Sequence, residues 1–377
     1  MQQKFITRRY AIKTIGGISL TTILGSFSFC SIQQKTDVNI TVIKRVDISL
    51  NPKRNFHSVS ACRAPNGDFL VNHQDSLRHL GGDCVVHQWR STDNGITWQD
   101  EGAVVDITNE GLDARAGEYG VTPDGRMVMI VQRVDPKGKG GNLSVLNSTW
   151  YVSLDSGKSW EYRGVVDPGH EKAILAPRSV FSHKGTMYFG AYSLKDGMAL
   201  YVSEDNGDSW HRRSVMFPQD YPDFAPGLTD VNFGPFYPHV MFLPDGELMA
   251  MCFVKGHKHE INLCYTRLSN DQGKTWGDIQ KHPDLPVWAP RMNIIGDDLL
   301  VVTGRSLDDN AVIGLFSTDN GKNWGNKIII EQPKDVKNCG YTQSIPIGNN
   351  KLWVYTSTSA NVVDMPDVAG VLLEIND

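Results

Sequence analysis

An eight-residue motif of the form Ser-x-Asp-x-Gly-x-x-Trp occurs five times along the chain, and this repeat constrains the fold more than any other feature. The copies begin at Ser91, Ser153, Ser203, Ser269 and Ser317. Each residue type suits a tight hairpin: the Asp accepts hydrogen bonds from backbone N–H groups, the Gly adopts a positive φ, and the Trp begins the next strand. Self-similarity of this kind predicts an array of equivalent units.

A second series of hairpin turns lies between these motifs, and each turn is followed by an apolar strand. The third residues of these turns are Gly67, Gly125, Gly185, Gly246, Asp298 and Asn350. Six turns against five motifs predict six units in the order strand, turn, strand, loop, strand, motif, strand. This is the order of a four-stranded propeller blade.

The last unit lacks a motif, and the N-terminal part of the chain can complete it. Only two residues follow the predicted strand 368–375, too few for a further strand. The otherwise unpaired strand 38–48 is therefore predicted to supply the fourth strand of this blade and to close the ring, which removes exposed strand edges. We predict an all-β, six-bladed β-propeller of four-stranded antiparallel blades over residues 38–377.

The repeated motif resembles the Asp box of the sialidase superfamily, and the chain is similar to a divergent member of that group. The resemblance covers nearly the whole predicted propeller. It implies that the boxes lie on outer hairpins, where they link blades. All five copies are therefore interpreted as structural, and the ligand site is expected on the opposite rim.

The first thirty residues are interpreted as an export signal. The segment 7–13 contains Arg8 and Arg9 and resembles a twin-arginine signal, and the apolar run 15–29 follows it. Cys30 is a candidate lipidation site, and residues 31–37 are interpreted as a linker. We expect a bacterial protein that is periplasmic or lipid-anchored at the cell envelope, without a transmembrane span.

Charge and cysteine content exclude several other classes of protein. A formal net charge of −5 argues against a nucleic acid or an anionic membrane as the partner. No Cys or His spacing predicts a metal site, and no cofactor is expected. Cys252 and Cys264 flank a predicted hairpin at positions expected to face each other. A disulfide and a pair of buried thiols are the two alternatives there.

The axis of the predicted ring is the candidate ligand site, because unusual residues mark the start of the inner strands. The position seven residues before the third residue of each turn is occupied by Ser60, Glu118, Arg178, His239, Arg291 and Gln343. Slightly earlier positions hold His57, Arg115, Tyr237 and Tyr341. Buried charges are costly unless they contact a ligand or one another. The alternative is a solvated channel lined by mutually paired charges.

Comparison with sialidases gives a partial match at the residues that act on the substrate. Members of that family use three arginines to hold the substrate carboxylate, a Tyr–Glu pair as the nucleophile and an Asp as the acid/base. Tyr341 matches the tyrosine, whereas His57 stands in place of an arginine and Tyr237 in place of the glutamate. Asp75 and Asp83 lie in the loop where the resemblance places the acid/base.

The expected function is that of an exported carbohydrate-active enzyme, an exo-acting glycoside hydrolase that removes a terminal acidic sugar (sialate or uronate) from a glycan. The catalytic candidates are Tyr341, Glu118, Asp75 and Asp83. The substrate-binding candidates are His57, Arg115, Arg178, Tyr237, His239, Arg291 and Gln343. Arginines on three inner strands suit a carboxylate ligand. A non-catalytic glycan-binding propeller, a polysaccharide lyase acting on uronates and a structural interaction propeller are the alternatives.

Overall fold

Short strands joined by tight turns make up almost all of the computed structural model. It describes residues 38–51, 53–78, 82–138, 145–167, 174–193, 197–221, 235–255, 262–362 and 365–376. The predicted export signal and linker lie outside these residues. Within them, the strands form six four-stranded antiparallel sheets, and no helix is long and apolar enough to cross a bilayer. The described residues also include the 3-10 helices Thr108–Glu110 and Val336–Asn338.

Each of the first five blades is built from four consecutive strands, given from the innermost to the outermost. Blade one contains β2 (Asn55–Arg63), β3 (Phe69–Ser76), β4 (Val85–Ser91) and β5 (Gln99–Val105). Blade two contains β6 (Asp113–Val121), β7 (Met127–Val134), β8 (Val145–Ser153) and β9 (Glu161–Val165). Blade three contains β10 (Ile174–His183), β11 (Thr186–Ser193), β12 (Gly197–Ser203) and β13 (His211–Pro218). Blade four contains β14 (Pro235–Phe242), β15 (Leu248–Lys255), β16 (Asn262–Ser269) and β17 (Gln280–His282). Blade five contains β18 (Trp288–Ile295), β19 (Leu299–Ser306), β20 (Ala311–Ser317) and β21 (Gly325–Glu331).

The sixth blade combines both ends of the propeller, as the sequence predicts. Its strands are β22 (Thr342–Ile347), β23 (Lys351–Val362), β24 (Met365–Asn376) and, outermost, β1 (Asn39–Ser49). Strand β1 is antiparallel to β24, with Ile40 opposite Ile375. Each inner strand contacts the next around the ring, and β22 returns to β2. The predicted six-bladed propeller is therefore confirmed, including its closure by the N-terminal strand.

The Asp-box turns have the predicted geometry and link neighbouring blades. In the first box Asp93 accepts hydrogen bonds from the backbone of Ile96 and Thr97 (3.1 and 2.9 Å), and Gly95 has a φ of +88°. The indole of Trp353, in blade six, donates to the carbonyl of Asn94 in this turn (2.8 Å). The boxes lie at the ends of the third strands, on the rim opposite the starts of the inner strands.

Apolar side chains between adjacent blades form the core. One cluster combines Val128 and Ile130 of blade two with Phe189 and Tyr201 of blade three, and all four are buried. Phe189 and Tyr201 stack with ring centroids 5.1 Å apart. Truncation of such a buried aromatic ring costs about 3–5 kcal/mol. This packing holds the six inner strands in place and so fixes the geometry at the axis.

The cysteine prediction is wrong about the side chains that face each other. In the register of β15 and β16, Cys252 lies opposite Tyr265, and Cys264 lies opposite Phe253. The two cysteines are offset by one residue and therefore point to opposite faces of the sheet. Both are buried thiols without a disulfide, and burial raises their pKa values.

Candidate functional site

The six residues selected by counting back from the turns occupy equivalent positions in the six inner strands. Each is paired with the corresponding residue of its second strand. The pairs are Ser60–Asn72, Glu118–Ile130, Arg178–Gly190, His239–Met251, Arg291–Thr303 and Gln343–Tyr355. The counting rule therefore identifies one ring of residues around the axis.

A bulge precedes this ring in several inner strands. The pairing shifts between His57 and Ser60, and likewise just before His239 and Arg291. In these bulges a non-glycine residue has a positive φ: 54° at Ser58, 56° at Tyr237 and 51° at Ala289. Bulges redirect side chains, and such strained backbone is found most often at functional sites.

An ion pair between Glu118 and Arg291 crosses the centre of the ring. The guanidinium of Arg291, in blade five, donates to the carboxylate of Glu118, in blade two. The hydroxyl of Ser60 also donates to Glu118, over 3.3 Å. The pair is buried, with side-chain exposures of 1% and 5%. Two of the charged residues selected from the sequence are therefore paired with each other. Such pairing is what the alternative of a solvated channel lined by paired charges predicts.

Two tyrosines from different blades form the second contact near the axis. The hydroxyl groups of Tyr237 and Tyr341 are hydrogen-bonded at 3.1 Å. The guanidinium carbon of Arg178 lies 4.7 Å from the ring centroid of Tyr237 and 5.7 Å from that of Tyr341. This places a cation from blade three over the tyrosine that the sialidase resemblance identifies as the nucleophile.

Arg305 approaches Tyr341 from another side. Its guanidinium carbon lies 4.9 Å from the Tyr341 ring and 5.1 Å from that of Trp288. It also donates to the carbonyl groups of Lys337 and Cys339, at 2.8 and 3.0 Å. Arg305 is buried in strand β19. It is thus held firmly beside the Tyr341 phenol.

These neighbours give the two tyrosines opposite acidities. Burial raises the pKa of Tyr237, and the adjacent Tyr341 raises it further. Burial acts in the same sense on Tyr341, but Arg305, the hydrogen bond from Tyr237 and Arg178 outweigh it, and the pKa of Tyr341 is lowered. Tyr341 is therefore the hydroxyl of this pair that more readily becomes a phenolate.

Two buried histidines border the tyrosines and arginines. The ring of His57 packs edge-on against Tyr341, with centroids 5.6 Å apart. Burial, together with Arg291 and Arg178, lowers the pKa of His239 well below its ordinary value. His239 is therefore a neutral imidazole. Its Nδ1 is buried and has no hydrogen-bond partner among the described residues.

The remaining substrate-binding candidates make local contacts. Arg115 donates from Nε to the side-chain carbonyl of Gln74 at 3.2 Å. The side-chain carbonyl of Gln343 accepts from the backbone N–H of Ser344 at 3.0 Å. Gln74 is opposite His57 in the sheet, so Arg115 lies close to the residues at the axis. We call these residues the axial group: His57, Glu118, Arg178, Tyr237, His239, Arg291, Arg305 and Tyr341.

Neither of the two candidate aspartates, Asp75 and Asp83, has a contact with Tyr341 among the described residues. Asp75 is paired with Arg54 at 2.5 Å and with His87 at 3.5 Å. Burial raises the pKa of Asp75, but these two partners outweigh it, so the pKa is lowered. Asp75 points to the opposite face of β3 from Gln74, and Asp83 is exposed with a φ of 52°.

Positive charge is in excess at the axis. Among the described residues, the three buried guanidinium groups of Arg178, Arg291 and Arg305 face one carboxylate, that of Glu118. Buried nitrogens Nη1 of Arg178 and Nε and Nη1 of Arg291 have no hydrogen-bond partner within the described ranges. Burial and the neighbouring Arg291 lower the pKa of Arg178 to about 10. Donors buried without partners are costly, so this arrangement is suited to an anionic ligand.

Two residues of this group lie outside the inner-strand positions selected by counting back from the turns. Arg305 follows an apolar stretch and has the pattern of a loop residue, yet it lies within a buried strand. Trp288 begins β18 and packs against Phe253 with centroids 4.5 Å apart. The sequence signal for this part of the site is the tryptophan at the start of the inner strand that carries Arg291.

The repeated turns and blades match a known family. Residues 67–287 match the BNR repeat-like domain, and this segment is more than half of the chain. The chain belongs to the BNR repeat-like family. No curated protein matches it.

Solved structures share the fold of this BNR repeat-like protein at low sequence identity. A Dyadobacter fermentans protein of unknown function is 16% identical, with a TM-score of 0.71 over 89% of this chain and 99% of that one. A Penicillium chrysogenum α-L-arabinanase, complexed with arabinobiose, is 17% identical, with a TM-score of 0.62 over 89% and 98%. A Trypanosoma rangeli sialidase is 15% identical, with a TM-score of 0.60 over 88% of this chain and 59% of the sialidase.

Proposed function

We propose that this protein is a carbohydrate-active enzyme, an exo-acting glycoside hydrolase that removes a terminal acidic sugar, a sialate or a uronate, from a glycan. The fold is shared with proteins named arabinanase and sialidase, and this likeness supports a glycoside hydrolase. Fold alone does not define a substrate, so the proposal depends on the side chains at the axis.

The observation that carries the proposal is the set of buried arginine donors without partners. Nη1 of Arg178 and two nitrogens of Arg291 need acceptors, and a sugar carboxylate supplies two oxygens in one plane. Arginine binds carboxylates in this bidentate manner. A neutral sugar would leave the excess of buried positive charge uncompensated. An acidic sugar is therefore the ligand that best fits this group of charges.

We assign Tyr341 as the nucleophile that attacks the anomeric carbon. In the first step its phenolate oxygen attacks that carbon and the glycosidic bond breaks. In the second step water attacks the same carbon and releases the phenolate. The lowered pKa of Tyr341 favours the phenolate, and the hydrogen bond from Tyr237 stabilises it and fixes its orientation. Arg178 and Arg305 lie within reach of its charge.

The leaving oxygen needs a proton, which a second acid supplies in glycosidases. Asp75 is held ionised by Arg54 and His87, and Glu118 accepts from Arg291 and Ser60. These contacts disfavour a role as the proton donor for Asp75 and for Glu118. We assign the protonation of the leaving oxygen in the first step to Asp83, an exposed residue in the loop after β3 of blade one. In the second step its carboxylate accepts the proton of the attacking water.

A panel of sialylated and uronate-terminated glycans tests this proposal. The purified protein is expected to release the terminal acidic monosaccharide, detected by mass spectrometry. Tyr341→Phe should lose turnover while it still binds the substrate, because the arginines are unchanged. Asp83→Asn is expected to slow turnover more than Asp75→Asn does. Binding without release across the panel would favour a non-catalytic glycan-binding propeller.

A lyase is the second candidate, favoured by the contact between His57 and Tyr341. With a uronate substrate, one of these groups could remove the proton next to the carboxylate while the other protonates the leaving oxygen. The product would then carry a carbon–carbon double bond. A rise in the absorbance of unsaturated uronate distinguishes this outcome from hydrolysis, which yields a saturated sugar.

We further propose that the protein is exported. The support is the twin-arginine pattern at Arg8 and Arg9, followed by an apolar run that ends at Cys30. The test is cell fractionation of the wild type and of an Arg8→Lys/Arg9→Lys variant. The wild type is expected in the envelope fraction and the variant in the cytoplasm. Radiolabelled palmitate tests whether Cys30 is lipidated.

A further inference from the structure

A cavity of about 430 Å³ lies between blades one and two, away from the axial group. One wall is aliphatic and is formed by Val104, Val105 and Ile107, at the end of β5 and in the connection that follows. Tyr151 of β8 and Tyr162 of β9 also line the cavity. Small-molecule sites have volumes of about 300–1,000 Å³, so the cavity is large enough for a ligand.

The two tyrosines form an aromatic surface that is open to a ligand. They lie opposite each other in the sheet and meet edge to face, with centroids 5.7 Å apart. Tyr151 is buried, whereas Tyr162 is 50% exposed. An exposed aromatic ring beside an aliphatic wall is suited to the apolar face of a sugar ring.

Charged groups line the rest of the cavity. Arg133 donates to the carboxylate of Glu110, and its Nε is buried without a hydrogen-bond partner among the described residues. Asp106 is a second, exposed carboxylate of the lining. These groups offer hydrogen-bond donors and acceptors of the kind that sugar hydroxyls need. Two carboxylates against one guanidinium disfavour an acidic ligand.

We propose that this cavity binds a neutral sugar residue. The aromatic surface, the aliphatic wall and the mixed hydrogen-bonding groups fit a carbohydrate, and the charge of the lining selects against an acidic one. The cavity differs in this respect from the axial group, where positive charge is in excess.

The position of the cavity relates it to the axial group. Glu110 lies in the connection that leads into β6, the strand that carries Arg115 and Glu118. In the sheet Arg133 is opposite Ala114, the neighbour of Arg115. If the axial group acts on a glycan, as proposed above, this cavity holds a neutral residue further along the same glycan.

Isothermal titration of the propeller with arabinobiose, cellobiose and lactose tests the inference, with galacturonate as the charged comparison. At least one neutral disaccharide is expected to bind. Tyr162→Ala should weaken that binding about tenfold, since the aromatic contact is lost, and Tyr162→Phe should preserve it. Ile329→Ala removes a similarly exposed apolar side chain (49%) from the outer strand of blade five and should bind as the wild type does.

The outcomes separate this inference from the axial proposal. Tyr341→Phe is expected to bind the neutral disaccharide as tightly as the wild type, whatever its effect on turnover. The inference is overturned if no neutral disaccharide binds the wild type, or if Tyr162→Ala binds it unchanged. It is also overturned if galacturonate binds more tightly than the disaccharides and loses that affinity in Tyr162→Ala.

Discussion

The guanidinium of Arg291 donates to the carboxylate of Glu118 from the far side of the ring. The two residues belong to blades five and two, and they occupy equivalent positions in their inner strands. Their ion pair therefore connects opposite walls of the site through its centre. It also leaves two further nitrogens of Arg291 without partners in the described residues, so one arginine both holds the site together and offers donors to a ligand.

Breaking this pair should destabilise the propeller. Arg291→Met leaves Glu118 buried without its counter-charge, and such a change costs about 3–5 kcal/mol of unfolding free energy. The double variant Arg291→Met/Glu118→Gln should recover part of that loss, because it also removes the buried carboxylate charge that Arg291→Met leaves without its partner. Urea unfolding measures both variants. Equal midpoints for the wild type and Arg291→Met would show that the pair does not stabilise the fold.

Arg305 should set the pH dependence of turnover through Tyr341. If the phenolate is the reactive form, the rate rises as pH increases through the pKa of Tyr341. Arg305→Met removes a cation that lowers this pKa, so the rising limb should move to higher pH. Arg305→Lys keeps the charge and should remain near the wild-type profile. Ultraviolet difference spectra, with Tyr341→Phe as the reference, report the same titration; an unmoved limb in Arg305→Met would contradict this role.

Substitution of an Asp-box glycine by alanine should destabilise the fold more than the same substitution in one of the other turns. Gly273 has a φ of +80°, and a Cβ there would lie 2.2 Å from Cδ2 of the buried Leu200. Gly125 has a similar φ of +84° but open space around it. Gly125→Ala should cost about 1–2 kcal/mol for the left-handed backbone. Gly273→Ala should cost about 1–3 kcal/mol more because of the overpacking. Equal melting temperatures for the two variants would contradict the close packing of this box against the neighbouring blade.

The contact between Asp75 and His87 should make stability depend on pH. Although burial opposes the charged form of both groups, their partners lower the pKa of Asp75 and raise that of His87. The stability from Asp75 is lost as pH falls through its lowered pKa, and that from His87 is lost as pH rises through its raised pKa. Both contributions to the free energy of unfolding are fully present between about pH 4 and 6.5. The difference in unfolding free energy between the wild type and His87→Phe should peak in that window; a difference that grows above pH 7 would contradict the assignment.

The architecture could be predicted from the sequence because turns are local. A motif such as the one at Ser91 specifies its hairpin with residues that are adjacent in the chain, and the counting rule then identifies the ring that includes Arg178. Contacts between distant strands could not be predicted in this way. The pairing of Glu118 with Arg291 depends on side chains that meet only after the ring closes. The offset of Cys252 depends on a register shift of a single residue, which turn patterns do not specify.

The site itself was only partly predictable for the same reason. Tyr341 follows from the resemblance, but its acidity depends on Arg305, which reaches it from another blade. Asp75 has the carboxyl group that an acid/base needs, but Arg54 donates a hydrogen bond to that carboxylate and holds it ionised. These roles depend on which groups are neighbours in space.

The most direct test of the central claim compares two substrates that differ only in the carboxylate. Release of the aryl group from an aryl glucuronide and from the matching aryl glucoside, or from an aryl sialoside and its methyl ester, isolates the role of Arg178 and Arg291. Turnover of the acidic member alone is expected, with a loss of about a hundredfold or more in Arg178→Ala. Equal rates on both members of a pair, or turnover of the acidic member that Arg178→Ala leaves intact, would contradict it.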